Sequence, residues 1–246
     1  MRDRGGLAAR TLTPAEPAGA PPVLLVHGFG SDGAADWIDT GTAAALTGAG
    51  RTVVVPDLPG HGDSPAPRSA AEATAPALAA ALLAVMDGAG AASFDIAGYS
   101  LGARLAWEVA ATAPDRVERS VLGGLSPAEP FTAVDVGALH RAVADGTPCP
   151  DPFTAAIAAM VTAQGDRARG LALCVEGLRS TPFAGGPWNA KVLPVFVVGE
   201  NDDLTRGIGD LAEGLGGAGL VTVPGAHHEV PGGARFRETL LDALAR

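Results

Sequence analysis

A serine flanked by glycines, Gly98-Tyr99-Ser100-Leu101-Gly102, fits the pattern G-x-S-x-G. It stands where a short apolar run, Phe94–Ala97, gives way to a segment of helical composition beginning at Ala103. A very tight strand-to-helix turn at this point holds the serine in a strained backbone conformation, and the flanking glycines let the two backbones pass. The hydroxyl then projects beyond the strand at the positive end of the helix, a position suited to nucleophilic attack on a carbonyl. The five-residue pattern is a weak signal by itself in a chain with 34 glycines. Its place on a strand-to-helix boundary is what strengthens it.

A serine hydroxyl needs a base, and the base needs an orienting carboxylate. The chain has five histidines, His27, His61, His140, His227 and His228. The last two follow the apolar run Leu220–Val223, in Val223-Pro224-Gly225-Ala226-His227-His228, and the run before it, Val195–Val198, ends in Gly199-Glu200-Asn201-Asp202-Asp203. Serine, acid and histidine therefore all follow strand ends, at the carboxyl edge where open α/β sheets place their ligands, and in the chain order Ser…Asp…His. Asp202 is preferred as the acid because, three residues past Gly199, it can turn back toward a neighbouring loop. Asp203 is better suited to start the next helix, and Glu200 is the third choice. His228 is preferred to His227 as the base. A bland reading stays open for all three, in which Ser100 is a turn serine and the histidines lie on a surface loop.

His27-Gly28-Phe29-Gly30 ends the first apolar run, and here the backbone matters more than the side chains. The amide of Phe29, with that of Leu101, is expected to form an oxyanion hole for a developing alkoxide. His27 is expected to support this loop, and His61 to stabilise the turn Asp57-Leu58-Pro59-Gly60-His61-Gly62-Asp63-Ser64. His140 falls on a predicted helix surface.

The elements that must position these residues alternate. Apolar runs stand at Val23–Val26, Thr52–Val55, Val195–Val198 and Leu220–Val223, with a weaker one at Phe94–Ala97 and another at Val117–Leu122 that carries Glu118-Arg119-Ser120. They are mostly continuous rather than alternating, as in strands buried on both faces of a parallel sheet. Helical composition fills 34–49, 68–90, 101–113, 203–216 and 232–245. The expectation is an α/β fold, a mostly parallel central sheet flanked by helices. One interval breaks the rhythm: from Leu125 to Ala190 there is no clear strand but three expected helices, near 132–145, 152–164 and 166–179. The chain thus divides into a core of residues 1–124 and 191–246 and a small helical cap of residues 125–190.

Composition narrows the function further. With 17 Lys+Arg against 27 Asp+Glu, the formal net charge is −10, and Lys191 is the sole lysine. No nucleic-acid partner and no polybasic membrane patch are expected. The longest apolar stretch, Ala77–Met86, is too short to span a bilayer, and Met1–Gly6 is not followed by the apolar region of a secretory signal, so a cytoplasmic location is expected. Cys149 and Cys174 are expected to be free thiols. No His or Cys pair has zinc spacing, the glycines at 28, 30 and 33 do not form a dinucleotide loop, and no Walker motif exists; no metal or cofactor is expected. Oligomeric state is not readable.

Taken together, His27-Gly28-Phe29-Gly30, Pro56-Asp57-Leu58-Pro59-Gly60-His61-Gly62-Asp63-Ser64, Gly98-Tyr99-Ser100-Leu101-Gly102, Gly199-Glu200-Asn201-Asp202 and Pro224-Gly225-Ala226-His227-His228 closely resemble the α/β-hydrolase superfamily, in family order over residues 22–245. The resemblance implies Ser100 as nucleophile, Asp202 as acid and His228 as base, although His227 fills a slot where the family often has glycine. The family's opening antiparallel hairpin looks trimmed, to Leu7–Leu12. A serine at position 100 speaks against the branches that use an aspartate nucleophile.

The implied activity is that of a carboxylesterase-like serine hydrolase, acting through an acyl-enzyme on an ester, lactone or thioester. It requires neutral His228 and so falls below about pH 6.5. A small-molecule substrate with an apolar portion is expected from Phe131, Phe153, Met160, Phe183 and Trp188 in the cap, although such residues can equally hold cap helices together. Two alternatives remain. Gly98–Ala106 and His27–Gly30 are also similar to the menaquinone-pathway cyclohexadiene carboxylate synthase, a lyase that needs a cationic clamp, for which Arg104, Arg141, Arg167, Arg169 and Arg179 are candidates. The other alternative is a non-catalytic, ligand-binding member.

Overall fold

The computed structural model describes residues 6–245. Residues 1–5, on which part of the signal-segment expectation rests, and Arg246 lie outside the described residues.

Seven strands form one sheet in the order β1-β3-β2-β4-β5-β6-β7. They are β1 (Ala9–Leu12), β2 (Val23–Val26), β3 (Val53–Pro56), β4 (Phe94–Tyr99), β5 (Val117–Gly123), β6 (Val195–Gly199) and β7 (Gly219–Val223). Only β1 runs antiparallel, pairing Ala9 with Pro56 and Leu12 with Val53; the other neighbours are parallel. Every residue of β2, β3 and β4 is buried, which accounts for the apolar runs of β2 and β3; the one charged residue in β4, Asp95, is buried against Arg51. The side-chain period of two divides them between two cores. Leu24, Val26, Ile96, Leu122 and Phe196 face one layer, built by α2 (Ala75–Gly88) and α3 (Leu101–Thr112). Val23, Leu25, Val55, Val121 and Val197 face the other, built by α1 (Thr42–Gly48) and α8 (Ala234–Ala245), with Trp37 and Phe236 fully buried between them.

Between β5 and β6 the chain forms three helices, α4 (Val136–Asp145), α5 (Pro152–Thr162) and α6 (Ala168–Ser180). The first two begin at side-chain caps, Asp135 accepting from the Ala138 amide and Asp151 from that of Thr154. α6 lies against the short turn Ala70–Ala73 so closely that a Cβ on Gly177 would stand 2.4 Å from the Ala70 carbonyl oxygen.

Three expected helices are shorter than the composition suggests. The stretch 34–49 is broken at Gly41, whose φ is +79°, into a wide π-type turn, Ala34–Ile38, and α1. The helix expected from 68 begins at Ala75, with Pro76 in its first turn. The stretch 203–216 divides at Gly207, φ +89°, into a tight turn, Asp203–Thr205, and α7 (Ile208–Gly214). In the first and third cases a glycine at positive φ overrides helix-favouring neighbours, and in the second the extended Thr74, φ −67° and ψ 152°, separates the short turn Ala70–Ala73 from the helix. Among the described residues no helix is long and apolar enough to cross a membrane.

Candidate active site

β2 leads on to β3 at one side of the sheet, while β4 leads on to β5 at the other. The connections part between β2 and β4, and this is where a parallel sheet opens a crevice at its carboxyl edge. The segments that leave these two strands are His27–Gly30 and Ser100. Ser100 has φ 53° and ψ −115°, the one positive φ among the described non-glycine residues. Its amide donates to the Gly123 carbonyl at 2.8 Å, which ties the strained turn to β5. A Cβ on Gly98 would stand 2.1 Å from the Gly102 carbonyl oxygen, and one on Gly102 would stand 1.9 Å from that of Val26. Both flanking glycines are thus required by close backbone approach.

The structure corrects the choice of histidine. His227, not His228, lies against the serine: its Nε2 is 2.9 Å from Ser100 Oγ and its Nδ1 is 2.7 Å from Asp202 Oδ2. With its proton on Nδ1, facing the carboxylate, the ring leaves the Nε2 lone pair for the serine hydroxyl. The cause is the tether on the loop. Gly225, with φ +115°, accepts through its carbonyl from the Asn201 amide, Glu229 caps the Ala226 amide at 2.7 Å, and the Tyr99 hydroxyl donates to the His227 carbonyl at 2.5 Å. Held on both sides, the loop turns residue 227 inward and leaves His228 exposed. Burial, followed by the charges of Asp202 and Asp36, pushes the Tyr99 phenol well up from its ordinary value, so it remains a donor.

Of the acids considered, Asp202 is the one brought to the histidine. Its side chain has no exposed surface, and its second oxygen accepts from the Leu204 amide at 3.1 Å. Asp203 pairs instead with Arg206 at the surface, and Glu200 is exposed.

Beside Ser100 runs the loop after β2, so close that a Cβ on Gly28 would lie 3.5 Å from Ser100 Cβ. Among the described residues neither the Phe29 nor the Leu101 amide donates to a protein acceptor. Two histidines sit behind this loop as neutral rings. His27 donates from Nδ1 to the Gly28 carbonyl (2.8 Å) and accepts at Nε2 from the Leu58 amide (2.9 Å). His61 donates from Nδ1 to the Pro59 carbonyl (2.9 Å) and accepts at Nε2 from the Gly30 amide (3.1 Å). Burial lowers both, His61 to about 3 with help from neighbouring His27. His140 is remote, paired with Glu176 between α4 and α6.

Two cavities meet at the serine. A narrow one of about 60 Å3 is walled by Phe29, Leu101, Leu125, Phe131 and Phe183. At its edge Arg104 is tied by a 2.8 Å bond from Nε to Glu129 and by another to the Thr181 carbonyl. A second, of about 250 Å3, is more polar and includes Ser31, Asp36, Tyr99 and His228. Of the expected apolar lining, Phe131 and Phe183 face the narrow cavity. Phe153 and Met160 are exposed, and Trp188 packs on Trp107 instead. Cys174 is buried, and desolvation pushes its thiol up to about 12.

Comparison with known proteins agrees with this architecture. The model of the alpha/beta hydrolase fold family matches residues 21–148, and the chain belongs to that family. A curated relative, the dihydrolipoyllysine-residue acetyltransferase component of the acetoin cleaving system of Pseudomonas putida, is 37% identical over 99 residues. That match covers 40% of this chain and a quarter of the relative's length. Among solved structures, the enol-lactonase from Burkholderia xenovorans superposes with a TM-score of 0.78 at 22% identity, covering 98% of this chain and 96% of its own. A thermophilic esterase from Thermogutta terrifontis superposes at 0.77 with 20% identity, covering 97% and 93%. At these identities the likeness is one of fold.

Proposed function

We propose that the protein is a serine hydrolase that cleaves a small ester or lactone with an apolar acyl portion. Ser100 Oγ attacks the carbonyl while His227 Nε2 takes its proton, and Asp202 holds the imidazole in the required tautomer and stabilises the imidazolium. The amides of Phe29 and Leu101 donate to the oxyanion, and His227 returns the proton to the leaving oxygen. Water, deprotonated by the same nitrogen, then releases the acyl group from Ser100. The observation that carries this reading is the line Ser100–His227–Asp202, with contacts of 2.9 and 2.7 Å beside two unengaged amides. The lactonase and esterase with the same fold act on substrates of this kind by name, which agrees with it.

The elimination reading needs a free cation to clamp a carboxylate. Arg104 is the one cation lining the narrow cavity, and its guanidinium is already neutralised by buried Glu129. Arg141, Arg167, Arg169 and Arg179 line neither cavity at the serine. This favours hydrolysis. The test is turnover of p-nitrophenyl butyrate by the wild type and Ser100→Ala, with mass spectrometry for an acyl group on Ser100. Turnover abolished by the substitution supports the proposal. An inert wild type with no acyl adduct contradicts it and favours the elimination or binding readings.

A further inference from the structure

We infer that Asp36 and His61 are positioning residues for the oxyanion-binding amide of Phe29, an inference that rests on the hydrolase reading above. An amide stabilises a transition state only if it already points at the oxyanion, so the peptides on either side of it must be fixed before the reaction begins. In this loop they are. The amide preceding Phe29, that of Gly28, donates to Asp36 Oδ2 at 2.8 Å. The amide following it, that of Gly30, donates to His61 Nε2 at 3.1 Å. The donor between these two is left without a protein partner among the described residues, in a loop that passes Ser100 so closely that a Cβ on Gly28 would lie 3.5 Å from Ser100 Cβ.

The carboxylate of Asp36 is itself held. Its other oxygen accepts from Ser31 Oγ at 2.5 Å, and its backbone is fixed in the wide turn Ala34–Ile38, where its amide donates to the Asp32 carbonyl and its carbonyl accepts from Thr40 Oγ1. The π-type turn that replaces the expected start of the helix thus brings Asp36 back onto the loop eight residues earlier. His61 is held in the same way by its Nδ1 bond to Pro59, which fixes the tautomer whose Nε2 accepts. Neither side chain needs to touch substrate, and no proton moves through either.

The experiment compares Asp36→Ala, Asp36→Asn and the wild type in kcat and KM for p-nitrophenyl butyrate, in affinity for a trifluoromethyl ketone that forms an oxyanion on Ser100, and in hydrogen exchange of residues 27–31. Losing one oxyanion donor outright costs ~100- to 1000-fold in kcat, so loosening one is expected to cost ~10- to 100-fold. Asp36→Ala should show that fall in kcat with KM little changed, a matching loss of ketone affinity, and faster exchange in the loop. Asp36→Asn, which keeps an acceptor for Gly28 and can donate to Ser31, should recover most of it. Should Asp36→Ala not fold, Ser31→Ala carries the test, with a smaller fall in kcat at constant KM. The inference is overturned if the Ala variant retains wild-type kcat and ketone affinity, or if Asn is as impaired as Ala. A wild type inert to both ester and ketone would instead sink the hydrolase reading from which it starts.

Discussion

The Tyr99 hydroxyl donates to the main-chain carbonyl of His227 at 2.5 Å, so the residue before Ser100 holds the loop that carries His227. Tyr99 is buried on the sheet face shared with Phe236, and its ring lies 5.2 Å from that of His227. The strained turn after β4 and the loop after β7 are thus coupled through this phenol as well as through the contact of Ser100 with His227.

Tyr99→Phe keeps the ring and removes that bond. We expect a loss of roughly 1 kcal/mol in stability, the usual net value of one hydrogen bond. We also expect kcat to fall several-fold with KM nearly constant, because the imidazole is held less firmly. Urea denaturation and steady-state kinetics on one preparation measure both, and unchanged kcat would show that the loop is fixed by its other tethers alone.

His27 and His61 make stability depend on pH. Both are lowered from their ordinary value by burial, His61 to about 3. Below about pH 6.5 the unfolded chain binds protons at these residues while the native state does not. Their effect is absent above pH 6.5, and stability declines as pH falls below it, by at most about 1.4 kcal/mol per pH unit for each ring that stays neutral, which for His61 continues down to about pH 3. Urea midpoints from pH 8 to 4.5 should fall on the acid side, less steeply in His61→Asn. A flat profile would contradict the neutral, buried rings.

The narrow cavity predicts a preference for short acyl groups. Across p-nitrophenyl acetate, butyrate and octanoate, kcat/KM should be highest for the short esters and lower by ~10-fold or more for octanoate, the least that one misfitting methylene costs. Phe131→Ala or Phe183→Ala should raise octanoate relative to acetate. A wild type that prefers octanoate would show that the acyl chain lies elsewhere.

Arg104 and Glu129 are both buried, and their pairing joins α3 to the segment after β5. Glu129→Ala leaves a buried guanidinium with only the Thr181 carbonyl and, at 3.9 Å, the half-buried Glu108, and removing the close partner of a buried ion pair typically costs up to ~3–5 kcal/mol. The expected result is a large drop in thermal midpoint, partly recovered in Glu129→Gln, which still accepts from Arg104. A midpoint unchanged in Glu129→Ala would mean that the guanidinium finds another partner.

The parts of this molecule that could be read from the sequence are those set by short-range chemistry. The unbroken apolar runs marked β2 and β3 because strands covered on both faces have no polar side. Gly98 and Gly102 marked the turn because a side chain on Gly98 would meet the Gly102 backbone and one on Gly102 that of Val26. Asp202 followed from its distance beyond β6. The choice of His227 over His228 was not legible, since adjacent residues differ only in which way the loop rotates. That rotation is set by Tyr99, Asn201 and Glu229, which lie far apart in the chain or give no sign of their bonds. Asp36 was hidden for a related reason: helical composition over 34–49 gave no hint of the wide turn that brings its carboxylate to Gly28.

The most direct test is labelling with a fluorophosphonate probe, followed by peptide mass spectrometry, on the wild type, His227→Ala and His228→Ala. We expect a label on Ser100 in the wild type and in His228→Ala, and labelling slower by ~100-fold or more in His227→Ala, the loss that removal of a general base produces. Labelling that survives in His227→Ala and disappears in His228→Ala would contradict His227 as the base.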